Sequence, residues 1–301
     1  MDIQQLNQDF GIDGSVRFTE ERAGFPIIEI KNNFATAAIS IYAAHVISYQ
    51  PVNTDEDLIY LSEDVIYKIG TALRGGIPIC WPWFGPHPTD GSKPSHGVAR
   101  KTFWQVSSTE TTTTGATRVI LKLTDSQESR ALWDYRFELA IAVTVGETLN
   151  IELITRNTGD KAFDVTQALH TYFKIGNVDQ VQVLGLDGCE YIDKVDGGEF
   201  KTQLGEVAIA AEVDRVYNDL PAELIIADPA LNRKIHITSK NSTTAIVWNP
   251  WINKSKALGD FPNEGYKQMI CVETANAAKE VITVQPQSQY SITVEYRSES
   301  F

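Results

Sequence analysis

Apolar and polar residues alternate with a period of two along much of this chain. Phe137, Leu139, Ile141, Val143 and Val145 fall on one side, and Arg136, Glu138, Ala140, Ala142 and Thr144 on the other, which predicts a half-buried strand. The segment before it repeats the pattern with Val119, Leu121 and Leu123. The segment after it does so with Leu149, Ile151 and Leu153, across a turn at Gly146-Glu147, so an antiparallel meander is expected. Residues 25–50 read as two strands joined at Asn32-Asn33, a pair that tolerates positive φ. Further short strands are predicted at 57–62, 101–107, 163–174, 181–186, 206–210, 222–227, 233–239, 243–248, 268–274 and 280–284. Tyr290, Ile292, Val294 and Tyr296 mark one face of a last strand. Helical periodicity is confined to 2–10, 126–132 and 252–258, so βαβ alternation is absent. The fold class implied is all-β, a large antiparallel β-sandwich. No linker, charge block or internal repeat divides it, and one domain spanning 1–301 is expected.

Composition narrows the choice of partner. A hydrophobic fraction of 43% and a charged fraction of 22% suit a chain that buries a full core. The formal charge of −13 argues against nucleic acid, so an anionic small substrate would need a locally basic pocket. Cys80, Cys189 and Cys271 are odd in number and far apart, which suggests neither disulfides nor a zinc knuckle. With no basic, apolar leader and no run near the roughly 20 apolar residues of a membrane span, a cytoplasmic protein without membrane contact is expected.

One window breaks the strand pattern. Residues 73–106 combine Gly75, Gly76, Gly85, Gly91 and Gly97 with Pro78, Pro82, Pro86, Pro88 and Pro94, which excludes a continuous helix or strand. The same window holds Trp81, Trp83, Trp104, Phe84 and Phe103, rings that must be buried against something. It therefore reads as a structured functional loop, with a proline-rich surface loop as the alternative.

Several side chains there and elsewhere could carry chemistry. If the exit of the loop is extended, His96, Val98 and Arg100 share a face, and the guanidinium would keep the imidazole neutral for hydrogen bonding. His170 alternates with Leu169, Thr171 and Phe173 and projects, with Tyr172, from the opposite side of its strand. Glu273 follows apolar Ile270, Cys271 and Val272, where desolvation would raise its pKa above the usual value of about 4.3 and suit it to act as a base. Arg74 and Arg100 supply two planar forks suited to a phosphate dianion. Each has a plainer alternative: a chance cluster for His96, a structural histidine for His170, and salt bridges for Glu273 and the arginines. No pair has metal-ligand spacing, and no G-x-S-x-G supports a serine hydrolase.

Taken together, LRGGIPICWPWFGPH at 73–87, SHGVAR at 95–100, ALHTYF at 168–173, DRVY at 214–217 and VETAN at 272–276 resemble the hexose-6-phosphate mutarotases (glucose-6-phosphate 1-epimerases) of the aldose 1-epimerase superfamily. The resemblance implies a galactose-mutarotase-like antiparallel β-supersandwich. It implies a cofactor-free, metal-free anomerisation of a sugar phosphate, with His170 as acid and Glu273 as base. His96 and Asp214 would hold the sugar, and Arg74 and Arg100 its 6-phosphate. Ser95 stands where some relatives carry Gln, and its shorter side chain leaves a substrate contact there open. Trp81, Trp83, Trp248 and Trp251 are candidates to line the sugar site, with core packing the alternative. For His170 to begin the reaction protonated, its pKa must be held near or above about 6.5. A non-catalytic carbohydrate-binding sandwich, an epimerase of unphosphorylated aldoses and a glycoside hydrolase are the rival readings.

Overall fold

The structure is a computed structural model and describes residues 1–21 and 24–301. Phe137–Val145 pairs antiparallel with Leu149–Asn157 across Gly146-Glu147 and with Thr117–Thr124 on its other side, so Leu121, Ile141 and Leu153 stand abreast. All three are fully buried, each contributing roughly 1.5–3 kcal/mol of hydrophobic stabilisation. This meander lies toward one end of a nine-stranded sheet that continues through Gln289–Ser300, Arg233–Lys240 and Glu223–Asp228.

An eight-stranded antiparallel sheet covers the inner face of the first. Its central strands, Val213–Tyr217, Thr244–Asn249 and Met269–Asn276, run next to one another, and Gln167–Leu169 and Ile79–Cys80 extend the same sheet. One hydrophobic cluster takes Ile151, Leu153 and Val294 from the nine-stranded sheet and Val247, Ile270 and Val272 from the eight-stranded sheet. Two polar seams lie inside this core: the hydroxyls of Thr171 and Tyr296 are 2.6 Å apart, and Trp81 Nε1 donates to Thr155 Oγ1 at 2.9 Å. With both partners present, these buried groups are satisfied.

The helices fall where they were expected, at Ile3–Phe10, Gln127–Leu132 and Trp251–Ala257. Asp2 caps the first by accepting from the N–H groups of Gln4 and Gln5, and Ser126 and Ser129 form a reciprocal cap on the second. Among the described residues no helix is long and apolar enough to cross a membrane.

Four details differ from the sequence reading. Residues 25–50 give three strands, Phe25–Lys31, Ala35–Ser40 and His45–Pro51, because Ala43 and Ala44 take positive φ and turn the chain. Asn32 closes the first hairpin through its side chain, which accepts from the N–H groups of Phe34 and Ala35. The expected strand at 57–62 reduces to single bridges at Ile59 and Leu61, since Asp57 draws the N–H groups of Tyr49 and Ile59 to its carboxylate. The stretch 163–174 divides into Phe163–Val165, Gln167–Leu169 and Tyr172–Lys174, the first pairing with Ile282–Val284 and the others with Met269–Asn276. The loop exit is a 3₁₀ turn, Ala99–Lys101, followed by the strand Gln105–Thr111.

Candidate active site

The glycines of the irregular loop let it double back tightly. Gly97 has φ 72°, and a Cβ there would lie 1.9 Å from the Trp81 carbonyl oxygen; at Gly76, φ 67°, it would lie 2.2 Å from His45 Nε2. His96, between Ser95 and Gly97, also takes positive φ, 62°, a conformation that costs an ordinary side chain on the order of 1–3 kcal/mol. Two bonds to one residue hold it there. Its N–H donates to the Gly85 carbonyl at 2.7 Å, and its ring Nδ1 accepts from the Gly85 N–H at 3.3 Å. With Nδ1 accepting, the proton of the neutral ring sits on Nε2.

The other side chains come from the eight-stranded sheet. His170 lies in the break between Gln167–Leu169 and Tyr172–Lys174, where its N–H donates to the Pro78 carbonyl at 3.0 Å. The alternation read from the sequence holds: Thr171 turns inward to Tyr296, while the His170 and Tyr172 rings stack 4.9 Å apart at 11° on the outer side. On Met269–Asn276, Thr274 and Asn276 reach Ser239 and Tyr290 of the opposing sheet, so Glu273 points the other way. Its Oε1 lies 3.3 Å from His170 Nδ1, without hydrogen-bond alignment.

A cleft of about 550 Å³ contains Arg74, Ser95, His96, Arg100, His170, Asp214 and Glu273 among its lining residues. All seven sequence candidates are thus brought together, from segments up to two hundred residues apart. The expected extended stretch from His96 to Arg100 is not what does it. Val98 is helical and Arg100 sits in the 3₁₀ turn, where its Nη2 donates to the Ser95 carbonyl at 3.1 Å. Ser95 therefore reaches the arginine through its backbone. Arg74 donates from Nε to Asp260 at 3.1 Å and from Nη1 to the Tyr172 hydroxyl at 3.3 Å. Of the four candidate tryptophans, Trp81, Trp83, Trp248 and Trp251, only Trp248 lines the cleft. Trp81 packs on Trp133 and Phe137 in the core, Trp83 is buried with its Nε1 on the Pro94 carbonyl, and Trp251 packs on Tyr266.

Burial governs the electrostatics. It pushes the Glu273 carboxyl well above the usual carboxylate range, and the nearby Asp214 adds to this. Burial also pulls His170 well below the ordinary histidine value, with His96, Arg100 and Arg74 adding to the effect. Both shifts favour the uncharged forms, a neutral carboxyl and a neutral imidazole, in the free protein. Burial, more than the cationic neighbours, sets this direction at His170 in the free protein. His96 is lowered to about 3 by burial, then by Arg100, Arg74 and Lys101, in line with the neutral role expected for it. Three groups lining the cleft keep buried polar atoms without a hydrogen-bond partner: Arg100 Nε, His170 Nδ1 and Glu273 Oε2. Among the described residues, no group of three or more His, Cys, Asp or Glu is placed to hold a metal ion.

Tyr172, Lys194 and Lys254 also line the cleft, and Asp260 anchors Arg74 from outside it. The sequence reading passed over all four as site residues. Tyr172 alone carried a local signal, its place on the His170 side of the strand. Lys194 and Lys254 both act on the Asp214 carboxyl, which burial raises.

The aldose 1-epimerase family model matches residues 26–297. A protein from Escherichia coli strain K12 named "Putative glucose-6-phosphate 1-epimerase" is 36% identical over 254 residues, covering 84% of each chain. One of the same name from Cenchrus ciliaris is 35% identical, over 84% of this chain and 78% of its own. The crystal structure of a protein described as a "putative mutarotase" from Salmonella typhimurium superposes with a TM-score of 0.90 at 30% identity, over 97% of this chain and 96% of that one. Galactose 1-epimerase from Lactobacillus acidophilus shares the fold at 15% identity, with a TM-score of 0.68 over 95% and 99% of the two chains. The match runs from the first sheet to the last strand and includes every segment that lines the cleft, and the chain belongs to the aldose 1-epimerase family.

Proposed function

We propose that this enzyme interconverts the α and β anomers of a hexose 6-phosphate, glucose 6-phosphate first among them, within one domain spanning residues 1–301. The observation that carries the reading is the presence in one cleft of a close His170–Glu273 pair and two guanidinium groups, Arg74 and Arg100. The names of the relatives point the same way. Opening a hemiacetal needs a proton delivered to the ring oxygen and another removed from the anomeric hydroxyl. His170 supplies the first and Glu273 receives the second; rotation about C1–C2 and reclosure by the reverse transfers complete the exchange. No cofactor or metal enters this scheme. His96 donates from Nε2 to a sugar oxygen, Asp214 accepts from sugar hydroxyls, and Trp248 packs on the C–H face. Arg74 and Arg100 receive the phosphate through charge-assisted hydrogen bonds. A cytoplasmic setting, where sugar phosphates are made, fits the three free cysteines.

The test is anomer exchange measured by NMR at equilibrium, with the spontaneous rate subtracted, on glucose 6-phosphate and on glucose. Faster exchange of the phosphorylated sugar is expected. Equal exchange of both would reassign the enzyme to unphosphorylated aldoses, and exchange of neither would leave a sugar-binding protein.

A further inference from the structure

In the free protein burial favours the uncharged forms of both His170 and Glu273, which lie 3.3 Å apart, whereas the proposed catalysis requires a proton on His170. The groups that face the imidazole act on that balance. Glu273 is 3.3 Å away, the His96 ring centre is 6.0 Å away, and the Tyr172 ring is stacked at 4.9 Å. Arg74 is held against this stack by its bond to the Tyr172 hydroxyl, and Arg100 is fixed on the Ser95 carbonyl. Trp248 closes the edge without charge. Behind Glu273, the Cys80 and Cys271 thiols are kept protonated by burial. Asp214 has Lys194 and Lys254 as its own counter-charges. On the core side, Thr171 meets the Tyr296 hydroxyl. Two fixed positive charges thus act on His170 from the cleft, and one of them is already partly offset by Asp260.

We propose that the substrate's phosphate dianion decides where the shared proton sits in the His170–Glu273 pair, and that Tyr172 is the positioning residue that ties Arg74 to the acid. The inference rests on the hexose 6-phosphate reading above and adds a route to specificity. Without an anion, Arg74 and Arg100 disfavour an imidazolium, and the pair rests as neutral carboxyl and neutral imidazole. A dianion on the arginines offsets their charge. One proton then passes from Glu273 Oε1 to His170 Nδ1, leaving a carboxylate and an imidazolium; no bond to carbon changes. That ionised pair is the form that can donate to the ring oxygen and accept from the anomeric hydroxyl. The phosphate is consequently read in kcat as well as in KM, because an unphosphorylated hexose occupies a cleft whose proton is misplaced.

The experiment follows His170 directly. Imidazole resonances of ¹⁵N-histidine-labelled protein are titrated against pH with and without glucitol 6-phosphate, a probe with no anomeric carbon, and His170→Asn identifies the resonance. With the probe bound, the His170 midpoint moves to higher pH. In Arg100→Met the midpoint is already higher before any anion is added. Tyr172→Phe keeps the ring and loses the acceptor for Arg74, and it shrinks the probe-induced movement. Inorganic phosphate added to the wild-type enzyme raises kcat on saturating glucose, by roughly 10-fold or more if about 1.4 kcal/mol of the barrier lies in the misplaced proton. A probe that binds by calorimetry yet leaves the His170 midpoint unmoved, or phosphate that leaves kcat on glucose unchanged, would overturn the inference while the hexose 6-phosphate reading stands. Failure of glucitol 6-phosphate to bind at all would remove both.

Discussion

Leu149–Asn157 and Met269–Asn276 are central strands of the two facing sheets, and they treat buried polarity in opposite ways. The first alternates: Leu149, Ile151 and Leu153 are buried, and the intervening Asn150, Glu152 and Ile154 are partly exposed. Where polar residues replace apolar ones on its inner side they are satisfied, Thr155 by Trp81 and Asn157 by the Lys161 and Val284 carbonyls. Met269–Asn276 is buried at every position. It carries Glu273 at 1% exposure with Oε2 lacking any hydrogen-bond partner. A buried carboxyl of this kind costs stability and persists where it has other work to do. The contrast separates a strand whose buried polar groups are all paired from one that holds an unpaired buried carboxyl oxygen, the group proposed above as the base.

The largest expected effect tests the second strand. Glu273→Gln and His170→Asn should each lower anomer exchange by about 10²–10⁴-fold, with the affinity for glucitol 6-phosphate changed far less because Arg74, Arg100 and Asp214 remain. Wild-type exchange in either variant would remove that residue from the chemistry. In the first strand, Leu153→Ala should cost about 2–5 kcal/mol of stability with kcat preserved in the folded enzyme. A fall in kcat that parallels the loss of stability would mean that the two strands are not separable. Smaller again is the effect on the rim. Charge-assisted hydrogen bonds are worth roughly 1.5–3 kcal/mol each, so Arg74→Ala or Arg100→Ala should lower kcat/KM for glucose 6-phosphate by about 10- to 150-fold. Glucose should lose less, and equal losses on both sugars would show that the arginines do not read phosphate.

How much of this was legible in the sequence follows from the same contrast. Period-2 patterning placed Thr117–Thr124, Phe137–Val145 and Leu149–Asn157 because one face of each is wet, and that asymmetry is written in residue type. On Met269–Asn276 both faces are buried and the pattern vanishes, so only the odd placement of Glu273 after an apolar run gave it away. His170 was placed on the correct face although its strand is broken, since alternation survives the change of partner. Lys254 and Asp260 had no local signal: the helix Trp251–Ala257 and the loop after it reach the cleft only through tertiary packing. The downward shift at His170 was also beyond sequence, because it depends on burial and on neighbours such as Arg74, about a hundred residues from it in the chain.

The smallest effect is the one that most directly weighs Glu273 as a stability cost. Its pKa is raised in the folded protein, so the fold favours the protonated form more than the unfolded chain does. The sign follows from linkage. Below the unfolded value of about 4.3 the carboxyl is neutral in both states and the stabilisation is fully present; it is lost as pH rises toward the folded pKa, because the unfolded chain ionises first. Gln cannot ionise and escapes that loss. Glu273→Gln should therefore unfold at a higher temperature than wild type at pH 7–8, on the order of 1 kcal/mol or about 2–4 °C, and the difference should close as pH falls toward 4. His45 and His96 do not account for such a trend, and His170, also lowered by burial, shifts in the same direction as they do. His45, lowered to about 4 chiefly by burial, and His96, lowered to about 3, both remain in the variant and lose stability as pH falls below about 6.5 in either protein. Thermal melts of both proteins across pH 4–8 make the comparison. If Glu273→Gln is less stable at every pH, the carboxyl is a structural member of its strand, and the division drawn between the two sheets fails at the residue on which it most depends.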